Sequence, residues 1–456
     1  MRTEGMAPGG KPRKVTHLGG ENGVTGSCHL LQANGLNILV DCGAAQGNDA
    51  VPAMADWPVK AADIRFVFVT HAHVDHSGRI PELVKNGFHG EIITTDPTKA
   101  LLVPMLRDAM SFSRMGEVEA GRLVQTIDDL SWGFEYDRWF DLKNGVRFKL
   151  RRAGHILGAC FVRFEVEDPA WSVTFSGDLG ASDTPLLPEA DAPEPCDLLI
   201  LESTYGDRLH EDRSQRVQRL GSVLARSLAD KGKVFIPAFA LGRTQELLYE
   251  MDRLFSNAQP RKTIPGLAGA TKIPVLLDSP LGLEVTKIYS SLSEYWDKEA
   301  RELLRSGDDP IDFGQLYAVC RHEDHRRVLD MPGPAVILAG SGMCTGGRIV
   351  DHLKDGLGDP RNDVFFVGYQ AAGTPGRAMV DYGRKPGGYV ILDGERCEIK
   401  AKIHVLTGYS AHADQKGLTD WVQSMPGKPG RIKLVHGEPP AQRVLAERLR
   451  GLGYDI

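Results

Sequence analysis

The stretch His71-Ala72-His73-Val74-Asp75-His76 places three imidazoles and one carboxylate within six residues, and it decides the fold of this chain. It follows residues 64–70, whose apolar and β-branched side chains predict a buried strand. Residues 77–84 predict the start of a helix. The stretch therefore lies on a turn at the end of a sheet, where side chains converge. Nitrogen and oxygen ligands without thiolates indicate a zinc site that is not a closed structural one.

Length and charge limit the classes of protein to consider. A chain of 456 residues is longer than one hydrophobic core usually supports, which predicts two domains. The apolar and charged fractions, 42% and 25%, are those of an ordinary globular protein. The net charge of −6 argues against a protein that grips nucleic acid over its whole surface. A polyanionic substrate must therefore be held in a local cleft.

The cysteines indicate a reducing compartment. There are seven of them, an odd and scattered set without a Cys-x-x-Cys pair, which predicts free thiols and a cytoplasmic location. The polar start of the chain lacks the apolar core of a signal peptide. Apolar runs also stay well below the roughly 20 residues that a membrane span needs, so we expect no membrane partner.

Polar residues also follow other predicted strands. Asp41, His155, Asp178 and Glu202 lie at the ends of strands predicted over 37–40, 148–152, 171–176 and 198–201. Any one of them alone is more commonly a turn, cap or structural residue. Their repetition at strand ends predicts a site on the edge of a layered sheet. In such a site Asp41 could accept a hydrogen bond from a metal-binding histidine and orient it.

The pattern changes near residue 207, where strands begin to alternate with helices. Strands over 233–237, 274–277, 335–339 and 363–367 predict a parallel sheet and thus a second α/β domain. After about residue 395, predicted strands over 400–406 and 431–435 are followed by His412 and His436. We expect this tail to complete the first domain. The predicted domains are 1–208 with 396–456, and 209–395.

Glycine-rich loops in the second domain predict contacts with phosphate groups. The loop over 340–348 leads into a helix, and its N–H groups could form an anion-binding nest; the alternative is a plain tight turn. Two similar loops carry an arginine. The predicted substrate-binding residues are Gly340, Ser341, Gly342, Thr345, Gly346, Gly347, Arg243 and Arg377. Residues 321–327, rich in charge and histidine, are interpreted as a solvated helix face rather than a ligand cluster.

The ordered set of motifs resembles the β-CASP branch of the metallo-β-lactamase superfamily, a group of nucleic-acid-processing nucleases. His71-x-His73-x-Asp75-His76, with Asp41, His155 and Asp178, resembles the superfamily's metal motifs. Glu202-Ser203-Thr204-Tyr205, Ser410-Ala411-His412-Ala413-Asp414 and Val435-His436-Gly437-Glu438 resemble motifs A, B and C of the branch. The resemblance implies an α/β fold: an αββα sandwich with an inserted parallel-sheet β-CASP domain.

The resemblance also implies a ligand set for two zinc ions. One ion would take His71, His73 and His155, and the other Asp75, His76 and His436, with Asp178 bridging them. Two cations roughly 3.5–4 Å apart activate a shared water for attack on a phosphodiester. His412, which is not needed as a ligand, is the predicted proton donor to the leaving oxygen. Glu202 would hold its tautomer and raise its pKa.

The sequence thus predicts a zinc-dependent ribonuclease that hydrolyses RNA held in the cleft between the domains. Endonucleolytic cleavage is expected, and the motifs leave exonucleolytic cleavage and homo-oligomer formation open. A small-molecule metallo-hydrolase is disfavoured by the long insertion between Glu202 and His412. A catalytically dead scaffold is disfavoured because every ligand position is filled. A DNA-directed nuclease of the same branch stays an alternative, because these motifs do not sense a 2′-hydroxyl.

Overall fold

Short apolar strands joined by tight turns build the first sheet of the protein. The computed structural model describes residues 3–4, 13–111, 115–270 and 272–456. Its first sheet contains, in spatial order, β1 (Thr3–Glu4), β2 (Lys14–Gly19), β3 (Cys28–Ala33), β4 (Leu36–Val40), β5 (Phe66–Phe68), β6 (Glu91–Thr95) and β7 (Ser131–Phe134). Strands β1 to β4 pair antiparallel, and β4 to β7 pair parallel.

The second sheet draws its strands from both ends of the chain. It contains β8 (Trp139–Asp141), β9 (Val146–Arg152), β10 (Cys160–Val166), β11 (Trp171–Phe175), β12 (Leu198–Glu202) and, from the C-terminal part, β21 (Arg431–Val435). Strands β8 to β11 are antiparallel. Strands β11, β12 and β21 are parallel, so their carboxyl ends meet at one edge. The C-terminal segment therefore completes this sheet, as predicted.

The two sheets pack face to face through large apolar side chains. The Phe68 ring meets Phe148 and Phe164 edge-on, with centroids 4.8 and 4.7 Å apart. Helices cover the outer face of the first sheet: α2 (Ile80–Lys85), α3 (Asp96–Ser111) and α4 (Glu117–Leu130). The short helix α1 (Val74–Ser77) precedes α2. On the second sheet, Phe161 packs against Trp421 of α14 (Gln415–Gln423), and α15 (Pro439–Gly451) follows β21. Helices thus cover both sheets, which confirms the αββα prediction.

A parallel sheet organises the inserted segment. Its spatial order is β15 (Leu316–Ala318), β14 (Val275–Leu277), β16 (Ala335–Ala339), β13 (Lys233–Pro237), β17 (Asp363–Phe366) and β20 (Lys402–Val405). The helices of this segment are α5 (Arg216–Ser227), which precedes β13, and α6 (Arg243–Ser256), α7 (Ala258–Thr263), α8 (Leu267–Ala270), α9 (Pro280–Ser291), α10 (Lys298–Arg305), α11 (His322–Asp330), α12 (Arg348–Gly356) and α13 (Pro375–Tyr382), which lie between the strands. A hairpin of β18 (Tyr389–Leu392) and β19 (Glu395–Glu398) precedes β20.

The structure divides into two units at a different boundary from the predicted one. Unit 1 comprises Met1–Ser182, Leu187–Leu209 and His412–Ile456, and unit 2 comprises Asp183–Leu186 and His210–Ala411. Unit 1 resumes at His412, because β20 pairs parallel with β17 and so extends the sheet of unit 2. The predicted domain bounds, 1–208 with 396–456 and 209–395, stay a prediction. Within the described residues, no helix is both long and apolar enough to cross a membrane.

Candidate metal centre

Strand ends deliver the site residues of unit 1 to one place. Asp41 follows β4, the histidine-rich stretch follows β5, and the backbone joins them, because the Asp41 N–H donates to Phe68 O at 2.8 Å. Asp178 follows β11, and Glu202 ends β12. Parallel pairing of β12 with β21 sets Glu202 opposite Val435, so His436 lies beside them. This edge is where the sequence predicted the site.

The structure brings together all seven predicted metal ligands. They form two groups of converging donor atoms, one of His71, His73, His155 and Asp178, the other of Asp75, His76 and His436. In the first group, His73 Nδ1 lies 3.0 Å from His71 Nε2 and 3.3 Å from His155 Nε2. In the second, His76 Nε2 lies 3.0 Å from His436 Nε2. The grouping coincides with the ligand sets that the motifs implied.

Asp178 lies between the two groups and turns one carboxylate oxygen to each. Its Oδ1 is 3.3 Å from His76 Nε2 and 3.6 Å from His436 Nε2. Its Oδ2 is 3.6 Å from both His71 Nε2 and His155 Nε2. The side chain is 2% exposed. A carboxylate with one oxygen toward each of two ligand groups can bridge two metal ions.

The donor set fits a pair of cations. Asp178 Oδ1 is buried without a hydrogen-bond partner among the described residues. A buried carboxylate oxygen left in this state is costly unless a cation or donor faces it. Imidazole nitrogens that face each other at 3.0 Å, as in His76 and His436, also gain from a cation between them. Imidazole and carboxylate ligands without thiolate are the set that zinc accepts in catalytic sites.

Asp41 contacts His76 at Nδ1, the ring nitrogen that faces away from the centre. Its Oδ2 lies 2.7 Å from His76 Nδ1, and the side chain is 2% exposed. Asp41 also accepts hydrogen bonds from the Thr70 N–H at 2.8 Å and the Thr70 hydroxyl at 3.0 Å. These bonds fix the carboxylate, which leaves His76 Nε2 directed to the centre. Gly43 allows the close approach of the chain here, because a Cβ on it would lie 1.6 Å from the Asp75 carbonyl oxygen.

Thr204 contacts His436 of the second group, as Asp41 contacts His76. The sequence did not lead us to predict this role. Its hydroxyl lies 3.1 Å from His436 Nδ1, and His436 Nε2 faces the centre. The Thr204 N–H donates to Glu202 Oε2 at 3.1 Å. The signal was present, because Thr204 belongs to the motif that contains Glu202. Its partner, however, lies 232 residues away in the chain.

His412 lies at the edge of the centre, with a side chain 15% exposed. Its Nδ1 is 3.2 Å from Glu202 Oε1 and 3.8 Å from Asp178 Oδ2. Burial lowers the pKa of His412, but the carboxylates of Glu202 and Asp178 outweigh burial and raise that pKa above its usual value. Glu202 is itself fixed by the Leu179 N–H at 2.8 Å. A partly exposed imidazole held by a fixed carboxylate can deliver a proton.

The predicted phosphate loops follow adjacent strands of unit 2. Strands β16, β13 and β17 are neighbours, so the loops after them meet at one edge of the sheet. Gln370 Nε2 donates to Gly342 O at 3.0 Å, and the Gly376 N–H donates to Met343 O at 3.0 Å. A Cβ on Gly342 would lie 2.7 Å from the Phe239 ring, which shows how closely the first two loops pack. The structure thus brings the three loops together within unit 2.

The two predicted phosphate-binding arginines differ in accessibility. Arg377 lies on α13 with a side chain 39% exposed, and its Nε is 3.1 Å from Asp381 Oδ2. Arg243 is 4% exposed and donates to the buried Glu246 on the next turn of α6. A guanidinium buried in an ion pair is not available to a phosphate. The buried ion pair therefore argues against the predicted phosphate contact of Arg243, whereas the contact of Arg377 stays a prediction.

Comparisons with known proteins show which family the chain resembles. Residues 22–223 match the model of the metallo-beta-lactamase superfamily, and residues 244–379 match the Beta-Casp domain. Residues 396–456 match the Zn-dependent metallo-hydrolase RNA specificity domain. The chain is 35% identical over 443 residues to "Ribonuclease TTHA0252" of Thermus thermophilus, covering 97% of both chains. The chain belongs to the β-CASP branch of the metallo-β-lactamase superfamily.

Two further proteins are similar over most of this chain. "Transcription termination factor FttA" of Methanocaldococcus jannaschii is 31% identical, with 96% of this chain and 69% of that protein covered. Among solved structures, a protein of unknown function from Enterococcus faecalis matches with a TM-score of 0.52 and 13% identity, over 93% of this chain and 94% of the other. That likeness concerns the fold alone. Family membership makes this chain a metal-dependent hydrolase.

Proposed function

We propose that the protein is a zinc-dependent ribonuclease that cleaves RNA phosphodiester bonds internally and takes part in RNA processing. The observation that carries the proposal is the position of Asp178, with one oxygen toward each ligand group. His71, His73 and His155 would hold one zinc ion, and Asp75, His76 and His436 the other, with Asp178 shared. Two such cations lower the pKa of a water and neutralise charge that develops on a phosphoryl group.

The protein's own residues have distinct roles in this proposal. Asp41 and Thr204 orient His76 and His436, respectively, by hydrogen bonds to their Nδ1 atoms. His412 donates a proton to the departing oxygen, because its partly exposed imidazole lies beside the centre and is not one of the seven predicted ligands. Glu202 accepts a hydrogen bond from His412 Nδ1 and so stabilises the protonated form of the His412 ring. Proton donation by a positioned imidazole is worth roughly 10²–10⁴ in rate.

RNA is the proposed substrate for two reasons. The tail matches an RNA specificity domain, and a relative of the same length is named a ribonuclease. The glycine-rich loops of unit 2 and Arg377 would contact phosphates, which lets a protein of net charge −6 bind a polyanion locally. The placement of RNA between the domains stays a prediction. We also propose a cytoplasmic location, because all seven cysteines are free thiols.

One incubation separates this proposal from its alternatives. Purified protein loaded with zinc is mixed with labelled single-stranded RNA, with DNA of the same sequence, and with the lactam nitrocefin. We expect RNA to be cleaved and nitrocefin to persist. Preferential cleavage of DNA would move the substrate to a DNA-directed nuclease. Turnover of nitrocefin without cleavage of either nucleic acid would contradict the proposal.

A further inference from the structure

A second group of buried histidines and a carboxylate lies inside unit 2. Asp278 follows β14, His325 lies on α11 and His352 on α12, and their side chains are at most 1% exposed. The interpretation of residues 321–327 as a solvated helix face is correct for Arg321 and Arg326, which are exposed. It is wrong for His325, because this residue occupies the inward position of α11. The donor atoms of the three buried residues converge closely enough to suggest a metal site.

The distances instead indicate hydrogen bonds. Asp278 Oδ2 lies 2.6 Å from His325 Nδ1 and 2.7 Å from His352 Nε2. Two ligand atoms at about 2.0–2.2 Å from one tetrahedral zinc ion are more than about 3 Å apart. In the centre of unit 1 the facing donor atoms lie wider apart, at 3.0 Å for His76 Nε2 and His436 Nε2 and 3.3 Å for His76 Nε2 and Asp178 Oδ1. Asp278 is therefore a hydrogen-bond acceptor rather than a metal ligand.

Arg348 donates a hydrogen bond to the other carboxylate oxygen of Asp278. Its Nη1 donates to Asp278 Oδ1 at 2.7 Å and to Val319 O at 2.8 Å, while its Nη2 donates to Cys320 O at 3.1 Å. Burial raises the pKa of Asp278, but hydrogen bonds from His352, His325 and Arg348 lower it to about 2. The carboxylate is thus ionised and satisfied on both oxygens. It ties the end of β14 to α11 and to two successive turns of α12.

The glycine-rich loop over 340–347 ends directly before Arg348, which belongs to the hydrogen-bond network around Asp278. Arg348 is the first residue of α12 and directly follows the loop. The loop closes on the first turn of the helix, because the Ile349 N–H donates to Gly340 O at 3.1 Å. Gly347 has a φ of +75°, and a Cβ on it would lie 2.5 Å from Gly340 O. The conformation of the loop therefore depends on where the start of α12 is held.

We propose that Asp278 is a positioning residue for the substrate: through Arg348 and His352 it holds the start of α12, and with it the loop over 340–347, in the conformation that binds an RNA phosphate. The group formed by Asp278, His325 and His352 takes no metal ion. This inference rests on the proposed function, in which the loop contacts RNA. It assigns a role in substrate affinity to residues that do not touch the substrate.

Asp278→Asn tests the proposal, because it removes the charge and keeps the size of the side chain. We expect KM and Kd for a labelled RNA oligonucleotide to rise roughly tenfold, the effect of losing charge-assisted hydrogen bonds that fix the loop. Turnover of bis(p-nitrophenyl) phosphate, which is too small to need the loop, and zinc per chain should match wild type. Asp324→Asn, the same change in an exposed ion pair on α11, should leave RNA affinity unchanged.

Two variants of His352 keep the proposal testable if Asp278→Asn does not fold. His352→Gln keeps a side-chain N–H for Asp278, whereas His352→Leu removes it, so RNA affinity should fall in the second and recover in the first. Unchanged RNA affinity in folded Asp278→Asn, parallel losses on both substrates, or loss of a bound zinc ion would each overturn the proposal. Wild-type protein that binds RNA without cleaving it would contradict the proposed function instead, and the Kd comparison would still test Asp278.

Discussion

The Nδ1 atom of His412 lies 3.2 Å from Oε1 of Glu202, and this contact joins residues 210 positions apart in the chain. Glu202 is completely buried at the end of β12, where backbone N–H groups of Leu179 and Thr204 fix its two oxygens. His412 approaches it through a bridge between Gly180 and His412. A carboxylate fixed in this way determines which nitrogen of His412 faces inward.

His412→Ala should retain zinc and lose roughly 10²–10⁴ in the rate of RNA cleavage, because the leaving oxygen loses its proton donor. The loss should be much smaller on a nitrophenyl phosphodiester, whose leaving group needs no proton. Steady-state rates on both substrates, with zinc measured per chain, check this prediction. Equal losses on the two substrates would assign His412 a different role.

Asp41→Asn should weaken zinc binding by roughly 10–100-fold, the usual effect of removing a carboxylate that orients a ligating histidine. The reason is local: Asp41 Oδ2 is 2.7 Å from His76 Nδ1 and fixes the ring. Competition with a fluorescent chelator measures the affinity. Asp49→Asn is a matched control, since Asp49 accepts hydrogen bonds from Val24 and Thr25 rather than from a ligand. Equal zinc affinity in Asp41→Asn and wild type would show that His76 does not need this partner.

Arg377→Ala should weaken RNA binding and reduce the dependence of log K on log salt by roughly 0.7, the contribution of one contact with a single-stranded phosphate. Hydrolysis of small phosphodiesters should not change. Arg361→Ala removes an exposed arginine of unit 2 that also pairs with a carboxylate, Asp359, and it serves as the control. Identical salt slopes for both variants and wild type would remove Arg377 from the phosphate contacts.

RNA cleavage should leave a 5′-phosphate on the downstream fragment and a 3′-hydroxyl upstream. In the proposed site the histidines at the strand ends are committed to metal, and His412 protonates the departing 3′-oxygen, so the RNA's own 2′-hydroxyl need not attack. A single 2′-deoxy substitution at the cut site should therefore permit cleavage. End-group analysis by mass spectrometry measures this. A 2′,3′-cyclic phosphate, or full protection by one deoxynucleotide, would refute the proposed chemistry.

Local patterns were sufficient to predict the layers and the order of the site residues. Strands Lys233–Pro237 and Arg431–Val435 have the predicted bounds. The first is a buried, mainly apolar run, and the second alternates more exposed residues with buried ones, and both patterns are typical of strands. Cys160–Val166 was not predicted, although it pairs along its length with β9. Its charged residues Arg163 and Glu165 alternate with core residues, which is the period of a half-buried strand, so the sequence did contain the signal for it.

Long-range contacts explain what the sequence could not reveal. The strand at 402–405 belongs to unit 2 because it pairs with β17. The sequence of one strand does not reveal which other strand it pairs with. The same holds for Thr204, whose partner His436 is distant in the chain, and for Arg243, whose ion pair with Glu246 is buried. Motifs identify the chemistry of a residue, whereas burial and partners decide whether it is available.

The most direct test of the proposed two-metal site combines measurements of zinc content and RNA cleavage in Asp178→Ala. Wild-type protein should contain about two zinc ions per chain, lose activity on chelation and regain it when zinc is returned. Because Asp178 faces both ligand groups with separate oxygens, its removal should cost zinc and RNA cleavage together. Elemental analysis that finds a full zinc complement in an active Asp178→Ala protein would contradict the bridging assignment and, with it, the two-metal site.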